Sequence, residues 1–240
     1  MRKIIILAFT LVFSGFLMAQ EEKTVVFDKN VQPRSASGFN AIQVSSAIDL
    51  YLSQGKEDAV AVSAGSDEIR DQIKTVVSNG VLKIYFDGKS IRNWSNTKMK
   101  AYVTFKSLQR IEASGACNVR LVDPLQGESL IIELSGASDF RGKVTLANLV
   151  VESSGASNMT LEGRAQTAKF DLSGASSVKA FDLEIAKCKA LASGASVLRM
   201  FVQEELSVQA SGASSVQYKG NGVIKDVSST GGASIKRKEN

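Results

Sequence analysis

Four acidic side chains recur at nearly constant spacing: Glu112, Glu133, Glu152 and Asp171. Carboxylates held about 5–10 Å apart can run glycoside chemistry without any other titratable group. A column of them can also hold a cation, or simply form a solvated face with cross-coil ion pairs. A second set is basic: Arg120, Arg141, Lys179, Arg199 and Lys236. A third possibility is Trp94, the single tryptophan, flanked by Arg92 and Asn93 in "GKSIRNWSNTKMK". An exposed aromatic with donors beside it suits a sugar ring or a partner protein, and a buried one plugs a cap.

The chain has no histidine. That removes the commonest general base and metal ligand and excludes Ser-His-Asp and Cys-His enzymes outright. No specific catalytic motif and no Asp-rich calcium-binding repeat is present, and no cofactor is implied.

The elements that must position these side chains are written in a repeated phrase. Ser-Gly-Ala recurs with its glycine at 115, 136, 155, 174, 194 and 212, and an altered copy places Gly231 in the same role. A period of about 20 residues marks a solenoid. Four residues before the glycine stand Ile111, Ile132, Val151, Phe170, Ala190, Val208 and Val227. Four residues after it stand Val119, Phe140, Met159, Val178, Leu198, Val216 and Ile235. Alternation of period two on both sides is a strand signature. Each copy therefore reads as strand, tight corner, strand and a variable return. Glycine suits the corner because it accepts positive φ, and its small neighbours let coils stack about 4.8 Å apart.

The fold class expected is all-β, a parallel β-helix or β-solenoid with coils of about 20 residues and an irregular N-terminal β section. "IQVSSAIDLYL" (42–52) aligns without a gap on "IEASGACNVRL" (111–121) and reads as a degenerate first coil. The following stretch holds strand-like runs at 59–63, 81–86 and 100–105 and a short helix over 67–77, together a capping or interrupting segment. Solenoid ends need such caps. The organisation expected is a leader over 1–20, a linker over 21–37, the degenerate coil and cap over 38–108, regular coils over 109–235 and a basic tail over 236–240.

The leader has a basic start, an apolar stretch too short to span a bilayer, and a small residue at Ala19. It is expected to be cleaved, giving an exported protein of the periplasm or outer surface of a Gram-negative cell, with no transmembrane anchor in the mature chain. Removing Arg2 and Lys3 lowers the 29 basic residues to 27, against 24 acidic ones, a net charge of +3. Nucleic-acid binders usually carry more, so none is expected as a partner. Cys117 and Cys188 fall four coils apart, nearly 20 Å by the coil spacing. A disulfide needs Cα atoms about 4.4–6.8 Å apart, so two buried free thiols are expected.

Gly38-Phe39-Asn40, the "IQVSSAIDLYLSQG" segment and the serial Ser-Gly-Ala turns resemble the DUF2807 family of Bacteroidetes, described as a putative auto-transporter adhesin, head GIN domain. The resemblance covers roughly residues 35–234 and implies a β-helical fold and an adhesive role. The expected function is an exported envelope or surface binding module, non-catalytic, recognising a glycan or a protein. The alternatives are a carbohydrate-active enzyme using carboxylates on the β-helix, and a structural envelope protein. Oligomeric state is left open.

Overall fold

The computed structural model describes residues 28, 30–88 and 98–239. It is a β-solenoid of about seven turns with coils of about 19 residues. The elements are β1 (Gln32–Arg34), β2 (Ala41–Val44), β3 (Ile48–Gln54), β4 (Ala59–Ser63), α1 (Asp67–Asp71), β5 (Ile73–Ser78), β6 (Val81–Phe86), β7 (Met99–Phe105), β8 (Arg110–Ala113) and β9 (Asn118–Leu121). They continue as β10 (Leu125–Leu134), β11 (Asp139–Ser153), β12 (Asn158–Leu172), β13 (Ser177–Ala192), β14 (Val197–Ala210), β15 (Ser215–Lys219), β16 (Val223–Ser229) and β17 (Ser234–Arg237).

Two ladders run along the axis, one on each side of the corner. Before the corner, β6, β2, β8, β10, β11, β12, β13, β14 and β16 pair in parallel. After it, β7, β3, β9, β11, β12, β13, β14, β15 and β17 do the same. The residues four before and four after each glycine point inward. From Ile111 to Val208, and from Val119 to Val216, all are at most 2% exposed.

The corner explains its own sequence. Each of the seven corner glycines, from Gly115 to Gly231, has φ between +67° and +82°. Its carbonyl accepts from the alanine N–H of the next coil: Ala175 N donates to Gly155 O and Ala195 N to Gly174 O, at 2.7 and 2.8 Å. The fourth corner residue turns inward. Ser138, Ser157 and Ser176 are fully buried and each donates its hydroxyl to the carbonyl three residues back, at 3.0, 2.9 and 2.8 Å. Cys117 holds the same place in the first regular corner, where its thiol reaches Ser114 O at 3.3 Å. The serine before each glycine is only half-buried, while the glycine and the alanine are exposed. The outer ridge is therefore glycine and alanine, and the regular hydroxyls face inward.

Two expectations need correction. The coil formed by β2 and β3 is not the first of the stack. The outermost parallel coil is β6 with β7, and β2–β3 lies between it and β8–β9. Its corner uses Ser46 and Ala47, which take positive φ (68° and 58°) without glycine. Sequence order is thus not stacking order here. The helix expected over 67–77 stops at Asp71. Ile73–Ser78 is β5, because Val76 and Val77 are β-branched and Asn79-Gly80, both at positive φ, turns the chain into an antiparallel hairpin with β6. Asn-Gly is the preferred two-residue hairpin turn. The cap is then complete: β5 runs antiparallel on β6, β4 on β7 and β1 on β4.

Both cysteines are free and buried, as the coil register requires. Burial pushes the Cys188 thiol up to about 12, so it is inert rather than nucleophilic.

Candidate functional site

The acidic column forms as the spacing implies. Glu112, Glu133, Glu152 and Asp171 are successive register partners on the strands before the corner, with Gln43 next to Glu112. With Ser114, Ser135, Ser154 and Ser173 they line a groove of about 400 Å³. Within this column cross-coil pairing is confined to one end, while Arg164–Glu184 and Lys187–Glu205 pair across coils elsewhere. Arg110 Nη1 bridges Glu112 at 3.3 Å and Glu133 more closely, and Gln43 Nε2 donates to Glu112 at 3.1 Å. Burial raises the Glu133 carboxyl; Arg110 opposes the rise, and Glu112 and Glu152 add to it. No group of three or more acidic or thiol side chains able to hold a metal ion occurs among the described residues.

The strands after the corner build a different surface. Tyr102, Tyr51, Arg120, Arg141, Thr160, Lys179, Arg199, Gln217 and Lys236 are consecutive register partners. Side chains there alternate in and out, and every one of the cations from Arg120 to Lys236 points out. Among the described residues none of Arg120, Arg141, Lys179, Arg199 or Lys236 forms an ion pair. At the head of the column the Tyr51 and Tyr102 rings stack, centroids 5.2 Å apart and planes 19° from parallel. A parallel row of Asp49, Asn118, Asp139, Asn158 and Ser177 runs two residues away, and Asn118 Nδ2 donates to Asp49 Oδ1 at 2.6 Å. The stretch of both rows from Asp49 and Tyr51 to Ser177 and Lys179 lines a groove of about 450 Å³. Sheet packing thus delivers a line of unpaired guanidinium and ammonium groups, hydrogen-bonding side chains and an aromatic platform.

The aromatic platform is fixed from behind by Asp28. Its carboxylate accepts from Ser63 Oγ at 2.7 Å, Tyr102 Oη at 3.0 Å and Lys100 Nζ at 3.2 Å. Burial alone would raise the Asp28 carboxyl, but the bonds from Ser63, the Asn30 N–H, Lys100 and Tyr102 outweigh it and hold it below the usual 3.8. The Tyr102 phenol is pushed well above its ordinary value by burial and by Asp28.

These two carboxylates pull stability in opposite directions with pH. A depressed carboxyl contributes stability above its unfolded pKa and loses it as pH falls through the folded one. A raised carboxyl costs stability as pH rises through its folded value. Asp28→Asn is therefore expected to lower Tm at neutral pH, with the deficit shrinking as pH drops below about 3.8. Glu133→Gln is expected to leave neutral Tm unchanged or raised and to remove a decline just above pH 4.5. Melting curves from pH 3 to pH 7 check both.

Arg92, Asn93 and Trp94 lie outside the described residues, in the chain between β6 and β7. The residues the sequence reading missed are Tyr51 and Tyr102. Tyr51 carried a signal, since it stands five residues after Ser46 and so aligns with Arg120. Tyr102 carried none, because no Ser-Gly-Ala phrase precedes it.

The structure is thus a capped, repeat-built parallel solenoid whose strands carry one acidic and one basic ladder. The chain belongs to the DUF2807 family, described as "Putative auto-transporter adhesin, head GIN domain", which matches residues 38–222. A protein described as a putative adhesin from Bacteroides fragilis is 26% identical and superposes with a TM-score of 0.79, over 87% of this chain and 96% of that one. A second putative adhesin, from Parabacteroides merdae, is 19% identical with a TM-score of 0.70, over 86% and 95%. A protein described as a putative lipid binding protein from Parabacteroides distasonis is 20% identical with a TM-score of 0.65, over 86% and 96%. The last two likenesses speak to the fold alone. No functionally curated protein matches the chain. No helix among the described residues is long and apolar enough to cross a membrane.

Proposed function

We propose that this chain is an exported, non-catalytic binding module of the cell envelope or surface, and that it recognises an extended acidic glycan along the strands after the corner. The observation that carries the reading is the unpaired column Arg120–Arg141–Lys179–Arg199 beginning at the stacked Tyr51–Tyr102 pair. A uronate polymer offers carboxylates at regular intervals for charge-assisted hydrogen bonds, and its rings offer apolar faces for the tyrosines. The neighbouring asparagines and aspartates supply donors and acceptors for hydroxyls. The adhesin descriptions of the family and of the B. fragilis relative agree with a binding role. The lack of histidine removes Ser-His-Asp and Cys-His chemistry and leaves carboxylate chemistry as the catalytic alternative.

The test is titration of the mature chain with polygalacturonate, with dextran as the neutral control. Saturable binding to the uronate that weakens with added salt is expected. Arg120→Ala with Arg141→Ala is expected to weaken it at least about tenfold, since each charge-assisted bond is worth about 1.5–3 kcal/mol. Both arginines are exposed, so the melting temperature stays where it was. Equal affinity for dextran, or binding untouched by the substitutions, contradicts the assignment.

A further inference from the structure

The two ends of the solenoid are finished differently. At the N-terminal end, β1, β4 and β5 cap the stack with antiparallel strands. At the other end β16 pairs only with β14, and β17 only with β15. Nothing among the described residues covers them. Val223, Ile224 and Val227 are 61%, 48% and 43% exposed, although Ile224 and Val227 are register partners of the fully buried Leu206 and Val208. Their side chains thus turn to the core side of the solenoid and yet are exposed among the described residues. The family match ends at residue 222, just before this rung.

We propose that this end is a homodimer interface, in which β16 pairs antiparallel with β16 of a second copy about a two-fold axis. The occupant follows from the sequence of the strand, Val-Ile-Lys-Asp-Val-Ser-Ser. An antiparallel pair centred between Lys225 and Asp226 sets each Lys225 opposite the other chain's Asp226. The same register sets each Ile224 opposite the other chain's Val227. Charge and apolar complementarity are satisfied twice by one operation.

The facing of the side chains agrees. The register slip between β14 and β16 falls between Leu206 and Ser207, so Lys225 has no partner on β14. That slip lets Ile224 and Val227, three residues apart, both turn to the core side. Opposed across the two-fold, they extend one solenoid's core into the other's. The polarity of the strands also selects this arrangement. Head-to-tail stacking would need the N-terminal end, and that end carries the antiparallel cap. Joining like ends is isologous and closes after two copies. An open sheet edge with apolar side chains is otherwise an aggregation template.

Sedimentation velocity on the mature chain over a range of concentrations reads the outcome. A concentration-dependent dimer is expected. Lys225→Asp sets like charges against each other at both positions and is expected to weaken self-association at least tenfold. Lys225→Asp combined with Asp226→Lys restores opposite charges in the same register and is expected to restore the dimer. Ile224→Asp places a carboxylate in the joined core and is expected to give monomer at every concentration. Circular dichroism of each variant confirms an intact fold, since all three positions are exposed. A monomeric parent chain overturns the proposal. So does a dimer that survives Lys225→Asp, or one that the paired exchange fails to restore. None of these outcomes depends on the ligand of the basic face.

Discussion

Gly174→Ala is expected to destabilise the protein by at least about 3 kcal/mol, while Gly115→Ala, the same change in the same phrase, costs about 1–2 kcal/mol. Both glycines have positive φ, 67° and 82°, so both variants bear the left-handed penalty that a Cβ brings. Only the first has a wall behind it. A Cβ on Gly174 would lie 2.5 Å from Gly155 O and 3.0 Å from Gly155 N. That carbonyl is itself fixed, because it accepts from Ala175 N at 2.7 Å. A Cβ on Gly115 meets nothing nearer than Ser46 N at 3.7 Å, because the coil outside it turns on serine and alanine instead. Gly38→Ala, with φ of +75° and no neighbour within 4 Å, gives the conformational cost by itself. Urea denaturation of the three variants separates backbone conformation from coil stacking. Equal losses at all three positions would show that the repeated glycine serves only its φ.

Phe170→Ala is expected to cost about 3–5 kcal/mol, the usual range for emptying a phenylalanine site in a close-packed core. Phe170 is wholly buried, and its register partners are Val151 on one side and Ala190 on the other. Both register partners are smaller than the ring, and Ala190 is the smallest residue of this inner column, so it leaves space that the ring fills. Ala190→Val alone should then overpack, at about 1–3 kcal/mol. Together with Phe170→Leu it should cost less than the sum of the two single changes, by about 1 kcal/mol, because contacting residues couple. Chemical denaturation of the double-mutant cycle measures the term. Strict additivity would mean that neighbouring coils do not share one packed core. In a solenoid each coil touches only its neighbours, so such a loss is also felt at the adjacent interfaces.

These two results rest on features the sequence displays openly. Gly174 and Phe170 sit at fixed places in a phrase of nearly constant period, and constant period becomes constant register once coils stack. The acidic and basic columns were legible for the same reason: Glu133 follows Glu112, and Arg141 follows Arg120, one coil on. What was hidden depends on contacts between distant segments. Nothing local says that β6 and β7 dock outside β2 and β3, because partners such as Ala41 and Val81 or Ile48 and Met99 lie far apart in sequence and leave no periodic mark. The helix expected over 67–77 failed where the Asn79-Gly80 turn decided the matter from the far end of β5. Tyr102 joins Tyr51 only through that docking, so the aromatic platform could not be assembled from the repeat alone. The unpaired state of the basic column was likewise invisible. The acidic column stands across the corner, where Arg110 takes two of its members, and Asp49 and Asp139, beside the basic column, form no ion pair with it among the described residues.

The basic face and the open end fit together. A dimer joined at β16 carries two recognition faces on one rigid body, and two linked sites raise avidity for a repetitive ligand without any new contact. The claim that most needs testing is recognition by the column that starts at Tyr51. The direct measurement is a glycan array spanning acidic and neutral polymers, probed with the mature chain, with Arg120→Ala/Arg141→Ala and with Trp94→Ala. Binding to acidic glycans is expected, abolished by the arginine pair and left in place by Trp94→Ala. Binding confined to neutral glycans, or lost with Trp94 and retained without the arginines, would contradict it.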